Sequence, residues 1–352
     1  MRRRDVLSTF AAAAAGFAWP ARADHQAQAD GPAMPAFFRI GTGGTAGVYF
    51  PLGSLIARVV AESHSAPDCP PPVPQPCGVP GLLAVAQTSN GSVSNVEAIQ
   101  AGAIEAGLVQ SDIAHGAFNA TGIFAGKLNA SRLRFLARLY PEAVHVVVRR
   151  NAGIRKIADL AGKRVSLDEP GSGTLAMARM LLAAHGLSES RLRPEYVKPD
   201  LAAPRLAAGQ LDAFFFVGGW PVRSVADLAA AGHVDILPVQ GEAAADLLQR
   251  NPFLSRGTIP AGMYTGVNAV ETVTVSAQLL ARADLADTLV EAVLRQIWSE
   301  RGQTLIRAGH PRGADVALAK ALEGRGIPLH SGAARFYRSV GMDPGPDAAA
   351  AR

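Results

Sequence analysis

Short apolar runs alternate along the chain with longer stretches in which apolar positions recur at helical spacing. Helical spacing is clearest over residues 48–62 and 174–185. The apolar runs predict strands at residues 37–40, 107–110, 144–149, 164–167, 196–198 and 212–217. Strands that alternate with helices are typical of parallel sheets covered by helices on their faces. The pattern therefore predicts an α/β fold.

A weak internal repeat divides this pattern into two halves. Residues 101–111 and 208–218 both end a helix at Ala-Gly, place an acidic residue at the fifth position, and continue into a buried strand. Residues 37–45 and 164–174 both run from a strand through a glycine loop into a helix. Such punctuation is common in α/β proteins, which is the alternative explanation. If these matching segments are a true internal repeat, they predict two similar Rossmann-like lobes.

The N-terminus has the pattern of a targeting segment. Three arginines precede a short alanine-rich stretch at residues 6–18, and Ala21-Arg22-Ala23 fits a cleavage site. We expect residues 1–23 to be a signal peptide that is cleaved after Ala23, and the mature protein to lie in the periplasm. Arg3 and Arg4 fit the twin-arginine route, and the general secretory route remains open.

Removing this segment changes the charge of the protein. The whole chain carries a net charge of +5, of which residues 1–23 contribute +3, so the mature chain is close to +2. The case for nucleic acid or an anionic membrane surface as a partner therefore largely disappears. No later apolar run reaches the length of a membrane span.

The two cysteines, Cys69 and Cys77, flank a proline-rich segment. In an oxidising compartment, a close pair of this kind indicates a disulfide that closes the loop. Half of a metal site and two free thiols are the alternatives.

Two glycine loops are the strongest candidates for ligand binding. Residues 41–47 and 170–174 each follow a predicted strand and lead into a helix. Free N–H groups at a helix start, together with the helix dipole, favour anions. A dinucleotide fingerprint is an alternative for the first loop, but it requires an acidic residue at the end of the next strand, and Glu62 lies in a predicted helix. A glycine-rich turn without a ligand is the other alternative.

Strand ends and a charged segment supply further candidates. Gln110 and Gly218 end predicted strands in the two halves. Ser111 follows Gln110 and could contact a ligand or cap a helix. Arg138 could neutralise an anionic ligand, and a salt bridge between lobes or on the surface is the equally plain alternative. It lies beside residues 139–142, where we expect a turn in which the chain passes between the lobes.

Signals of an enzyme are missing. The eight histidines are scattered without metal-ligand spacing, and no Gly-x-Ser-x-Gly elbow is present. We therefore expect no catalytic residues, no metal and no cofactor.

Taken in order, several segments resemble the TAXI family of TRAP-transporter solute receptors, over residues 37–341. They are IGTGGTAGVY (40–49), GSVSN (91–95), QSD (110–112), LYPE (139–142), GKRV (162–165), PGSGT (170–174) and IPAGMY (259–264). The resemblance implies a type II periplasmic binding-protein fold with two lobes joined by a two-strand hinge. It also implies a monomeric receptor that delivers glutamate, glutamine or 2-oxoglutarate to an ion-driven permease.

The resemblance also assigns the ligand site. Its residues would be Thr42, Gly43, Gly44, Tyr49, Ser92, Gln110, Ser111, Ser172, Gly173 and Thr174, to which the matching strand end adds Gly218. We expect residues 37–140 and 270–341 to form lobe 1, residues 141–269 to form lobe 2, and residues 342–352 to be a frayed tail. An enzyme on the same fold, of the pyrimidine-precursor type, and a ligand-sensing partner of a membrane kinase are the alternative functions.

Overall fold

The structure, a computed structural model, describes residues 36–62, 77–127 and 130–346. The predicted signal peptide at residues 1–23 and Cys69 lie outside the described residues. So do residues 347–352 of the predicted tail. The cleavage site and the Cys69–Cys77 disulfide therefore remain predictions.

Ten strands occur within the described ranges. They are β1 (Ala36–Gly41), β2 (Leu82–Gln87), β3 (Ala106–Gln110), β4 (Leu133–Arg149), β5 (Arg164–Ser166), β6 (Arg193–Glu195), β7 (Ala213–Gly218), β8 (Val234–Leu237), β9 (Ser255–Ile259) and β10 (Val270–Arg282).

Ten α-helices and five short 3₁₀ segments connect these strands in the same ranges. The helices are α1 (Tyr49–Val60), α2 (Ser92–Gln100), α3 (Ser111–Phe118), α4 (Gly173–Ala184), α5 (Pro199–Ala207), α6 (Arg223–Ala230), α7 (Glu242–Arg250), α8 (Asp287–Ile297), α9 (Glu300–Gly309) and α10 (Ser331–Ser339). The 3₁₀ segments are Gly122–Phe124, Ile157–Leu160, Glu189–Arg191, Pro311–Asp315 and Leu318–Lys320.

The strands form one mixed sheet in the order β2-β1-β3-β10-β4-β7-β5-β6, in which β8 also pairs with β4 and β9 with β10. Pairing is parallel among β2, β1 and β3 and among β7, β5 and β6. The long strands β4 and β10 run antiparallel to each other between these two parallel groups. The α/β fold with two connecting strands is therefore confirmed.

The buried apolar side chains fall into three clusters. One draws on residues 38–140 and 277–337, together with Ala176. The other two pack on opposite faces of the remaining strands and draw on residues 143–275. We call the part of the molecule around the first cluster the first half and the part around the other two the second half. Both β4 and β10 contribute residues to both halves.

Two local predictions are wrong. The strand predicted at 196–198 lies at Arg193–Glu195, because pairing with β5 rather than the β-propensity of Tyr196 and Val197 sets the register of this edge strand. The turn predicted at 139–142 is continuous strand within β4. Pro141 is tolerated there because β10 lies on one side, while pairing with β7 on the other side begins only at Ala143.

Candidate functional site

A cleft of about 720 Å³, solvent-open space included, lies between the two halves. It is lined by the loop before α1, the start of α2, the end of β3, the middle of β4, and the loops after β5, β6 and β7. In an open α/β sheet, ligands bind at the carboxyl ends of the parallel strands. Here the strand ends of both halves meet at one cleft.

Most of the predicted ligand-binding residues line this cleft. They are Gly43, Gly44, Tyr49, Ser92, Gln110, Ser172, Gly173, Thr174 and Gly218. Helices α1, α2, α4, α5 and α6 begin at the cleft, so their unpaired N–H groups and dipoles favour a negatively charged ligand group there. Thr42, Ser111 and Arg138 do not line the cleft.

Thr42 instead fixes the shape of the first glycine loop. Its hydroxyl donates a hydrogen bond to the carbonyl of Gln87 at 2.7 Å. Its own carbonyl accepts hydrogen bonds from Ser89 Oγ at 2.8 Å and from Asn95 Nδ2 at 2.7 Å. Thr42 is fully buried by these contacts.

Ser111 and Arg138 make contacts elsewhere. Ser111 Oγ donates to the carbonyl of Phe253 at 3.2 Å and accepts from the backbone N–H of Ser276 at 3.1 Å, which ties α3 to the second half and to β10. The guanidinium of Arg138 lies 3.8 Å from the carboxylate of Glu323. The structure thus places Arg138 in a salt bridge, the alternative that the sequence left open.

A hydrogen-bonded chain crosses the floor of the cleft. The hydroxyl of Tyr49 donates to Glu142 Oε2 at 2.9 Å and lies 3.4 Å from Ser92 Oγ. Ser92 Oγ also accepts from the backbone N–H of Gln110 at 3.1 Å. Burial, together with repulsion from Asp112, raises the pKa of Glu142 well above its usual range, and the Tyr49 hydrogen bond opposes the shift.

Asp168 occupies the facing wall, directly before the second glycine loop. Burial raises its pKa to about 7, although the side chains of Thr174 and Ser172 oppose the shift. Ser172 Oγ also accepts from Leu175 N at 3.1 Å, which caps α4, and Thr174 Oγ1 accepts from Val217 N at 3.1 Å. These two hydroxyls therefore hold the loop in shape as well as facing the cleft.

The two halves contact each other directly beside the cleft. The backbone N–H of Ser94 donates to the carbonyl of Gly171 at 3.1 Å, and Asn90 Nδ2 donates to the carbonyl of Pro170 at 3.1 Å. Gly171 has a φ of +92°, which favours glycine, and a Cβ there would collide with Ser94 Oγ. We call these two hydrogen bonds the cross-cleft contact.

Gly173 lies close to the opposite half inside the cleft. A Cβ on Gly173 would collide with the side-chain oxygen of Gln110, which belongs to the opposite half. A Cβ added to Gly44, by contrast, would lie at an ordinary van der Waals distance from Lys198. A side chain at position 173 would therefore force the buried Gln110 side chain to move.

Sequence reasoning missed the charged groups of the cleft. Glu142, Asp168, Glu169 and Lys198 all line it, and Lys198 Nζ forms an ion pair with Glu169 at 2.9 Å. Asp168 and Glu169 stand between a strand and a glycine loop, a position that could have identified them. The position of Glu142 depends on the unbroken path of β4, which the prediction of a turn concealed.

Two further features are absent from the described ranges. These ranges contain no group of three or more His, Cys, Asp or Glu side chains arranged to hold a metal ion. Among the same residues, no helix combines the length and the apolar character that crossing a bilayer requires.

These features define the class: an α/β protein of two halves, joined by two long strands, with a cleft at the strand ends of both. A model of the NMT1-like family matches residues 40–341, and the chain belongs to that family.

Solved structures with a similar chain path include two sulfonate-binding proteins. The alkanesulfonate-binding protein SsuA from Xanthomonas axonopodis pv. citri, bound to MOPS, is 18% identical, with 88% of this chain and 92% of that chain covered and a TM-score of 0.45. The periplasmic aliphatic sulphonate binding protein SsuA from Escherichia coli is 16% identical, with 87% and 90% covered and a TM-score of 0.42.

A third similar structure is a binding protein component of an ABC phosphonate transporter from Pseudomonas aeruginosa. It is 9% identical, with 78% of each chain covered and a TM-score of 0.45.

Proposed function

We propose that this protein is a periplasmic solute-binding receptor that captures a small anionic or zwitterionic solute in the cleft. The observation that carries the proposal is that the cleft is walled from both halves, which touch through the cross-cleft contact. A ligand in such a cleft contacts both walls at once. It therefore stabilises the arrangement in which the walls meet.

The two halves would act as lobes that move about β4 and β10. Among the described strands, only these two contribute core residues to both halves, and they pair with each other at Val275 and Glu142. Closure over the ligand by a hinge motion of this kind separates the loaded from the empty receptor. A membrane permease could then recognise the loaded form.

The finer assignment follows from the resemblance of the sequence to TAXI-family receptors. It makes the partner a TRAP-type permease and the ligand glutamate, glutamine or 2-oxoglutarate. The helix starts at the cleft support a carboxylate-bearing solute, since each places N–H donors and the positive end of a dipole at the cleft. The ligand contacts would be those of the nine predicted residues that line the cleft.

Mass spectrometry of the native protein, purified without refolding, tests the proposal. A copurified carboxylate of low mass is the expected result, and calorimetry should then give a 1:1 complex with that solute. A thermal-shift series is the companion measurement, because a ligand at 100 times its Kd adds about 2.7 kcal/mol to the free energy of unfolding. A protein that carries no solute and is not stabilised by any small anion or zwitterion would contradict the proposal.

The permease class needs a separate experiment. Reconstituted TRAP-type permease subunits should transport the solute only when the loaded receptor and an ion gradient are both present. Transport that instead requires ATP hydrolysis would show an ABC-type partner.

A further inference from the structure

The charges of the cleft do not suit a ligand that is purely anionic. Of the described residues that line it, four are acidic, namely Glu142, Asp168, Glu169 and Asp200, and one is basic, Lys198. Lys198 is already paired with Glu169 at 2.9 Å. The described lining thus offers no unpaired cation to a dianion, although it offers several helix starts to a single anionic group.

Glu142 is the acidic group best placed to receive a positive charge. Its side chain is buried on β4, with 2% of the residue exposed, and it lines the cleft. Among the described residues, its hydrogen-bond donor is the hydroxyl of Tyr49, at 2.9 Å. The neighbouring Asp112 is an acid too, so repulsion adds to the burial that raises the pKa of Glu142. A cationic group of a ligand would offset both the burial of the Glu142 carboxylate and its repulsion from Asp112.

Gln110 supplies an independent observation. It is 3% exposed and lines the cleft, and its side-chain oxygen has no hydrogen-bond partner among the described residues. An unpaired buried acceptor is costly unless a donor arrives. The side-chain oxygen of Gln110 and Ser92 Oγ both lie beside Gly173. Ser92 leads through Tyr49 to Glu142, so the two acceptors lie in the same part of the cleft. An ammonium group has three donors and no acceptor, which suits this pair.

The second glycine loop, by contrast, offers hydrogen-bond donors. Helix α4 begins at Gly173, directly after its cap Ser172, and its first N–H groups have no partner within the helix. A carboxylate there would be favoured by these donors and by the helix dipole. The cleft therefore offers acceptors at one place and donors at another.

We propose that the carboxylate of Glu142, together with the side-chain oxygen of Gln110, binds an amino group of the ligand, so that the cleft selects α-amino acids over the corresponding keto acids and other anions without an amine. This inference rests on the proposed function, since it names the class of solute that the receptor takes.

Matched ligand pairs test the inference. L-glutamate is compared with 2-oxoglutarate, and L-alanine with pyruvate, by calorimetry on the full mature protein and on Glu142→Gln. The wild type should bind the amino member of a pair more tightly. Glu142→Gln keeps the size of the side chain and the acceptor for Tyr49. It should weaken binding of the amino acid by about thirtyfold or more, as loss of one member of a buried charge pair does, and leave the keto acid within about threefold.

Glu169→Gln is the control, because Glu169 is a cleft acid that already has a cationic partner. It should change the affinities of both members of a pair by the same factor. If the wild type prefers the keto acid, or if Glu142→Gln weakens both members equally, the ammonium site is refuted while the receptor function stands. If neither pair binds, an amine in the copurified solute supports the inference and a solute without one overturns it. An empty protein that binds nothing overturns both proposals.

Discussion

The two glycine loops follow the same local plan, strand then glycines then helix, yet they contribute differently to the cleft. In the first loop, residues 41–47, the hydroxyl of Thr42 is turned inward and holds the loop to the strand beside it. In the second loop, residues 170–174, Ser172 and Thr174 line the cleft, and their side chains oppose the rise in the pKa of the neighbouring buried Asp168. The first loop thus presents mainly backbone, and the second presents two hydroxyls beside a buried carboxyl group.

The difference shows that a repeated sequence plan fixes where a loop lies but not which groups it exposes. Both loops end at a helix start, so both can favour an anion. The second loop accepts hydrogen bonds from the opposite half, through Pro170 and Gly171. Variants in the two loops should therefore have different effects on binding and on stability.

Gly173→Ala should have the largest effect on binding. The added methyl group collides with Gln110 only when the two halves meet, so the variant should fold normally but resist closure. Overpacking of this kind costs about 1–3 kcal/mol, which corresponds to a five- to 150-fold loss of affinity. Calorimetry with the copurified solute measures this loss of affinity.

Gly44→Ala is the matched control from the first loop, because its methyl group would meet only Lys198 at an ordinary contact distance. Its affinity should stay close to that of the wild type. Equal losses in the two variants would mean that the two loops approach the ligand in the same way, and the contrast between them would fail.

The sequence predicted the positions of these loops because glycines between a strand and a helix mark a turn, where the backbone adopts conformations that other residues avoid. The resemblance to a known family, together with the matching strand end at Gly218, predicted nine residues that line the cleft. The sequence could not predict the groups whose role depends on distant pairing. Glu142 reaches the cleft because β4 continues through Pro141, and Thr42 turns inward because the carbonyl of Gln87 lies beside it. Arg138 is paired with Glu323, nearly 200 positions away in the chain.

Asp168→Asn should change how stability depends on pH. Burial raises the pKa of Asp168 from 3.8 to about 7, so between these values the folded protein keeps a proton that the unfolded chain has lost. The free energy of unfolding of the wild type should therefore fall as pH rises through this window, by about 1.4 kcal/mol for each unit of the shift. Asparagine cannot ionise and tolerates the left-handed backbone found here, at φ +72°.

Urea unfolding at several values between pH 4 and pH 8 measures this difference. Asp112, whose pKa is also raised to about 7 by burial, contributes in the same direction to both proteins and cancels in the comparison. The stability of Asp168→Asn relative to the wild type should rise with pH. Parallel curves for the two proteins would show that Asp168 is ionised in the folded state at no cost.

Thr42→Val should lower stability without a matching change in affinity. The valine keeps the shape of the side chain but removes one of the two hydrogen bonds that the carbonyl of Gln87 accepts, since the backbone N–H of Thr42 donates the other at 2.9 Å. Loss of one such bond costs about 0.5–1.5 kcal/mol. Urea unfolding and calorimetry together separate the two quantities. Thr42→Ser keeps the hydroxyl and should recover most of the loss. An affinity loss that exceeds the stability loss would place Thr42 in the ligand site after all.

Asn90→Ala should have the smallest effect, and it tests the cross-cleft contact alone. The Asn90 amide donates to Pro170 of the opposite half at an exposed position, so the bond exists only while the halves touch. Its loss should cost about 0.5–1 kcal/mol of binding free energy, a two- to fivefold rise in Kd, with unfolding of the empty protein unchanged.

Asn251→Ala is its control, since Asn251 makes the same kind of amide-to-carbonyl bond, at 2.7 Å, to Leu247 within the second half. That variant should lose stability but not affinity. If Asn90→Ala instead lowers the stability of the empty protein and leaves Kd unchanged, the two halves are already joined without ligand. The second loop would then be a fixed wall like the first, and the hinge motion would be excluded.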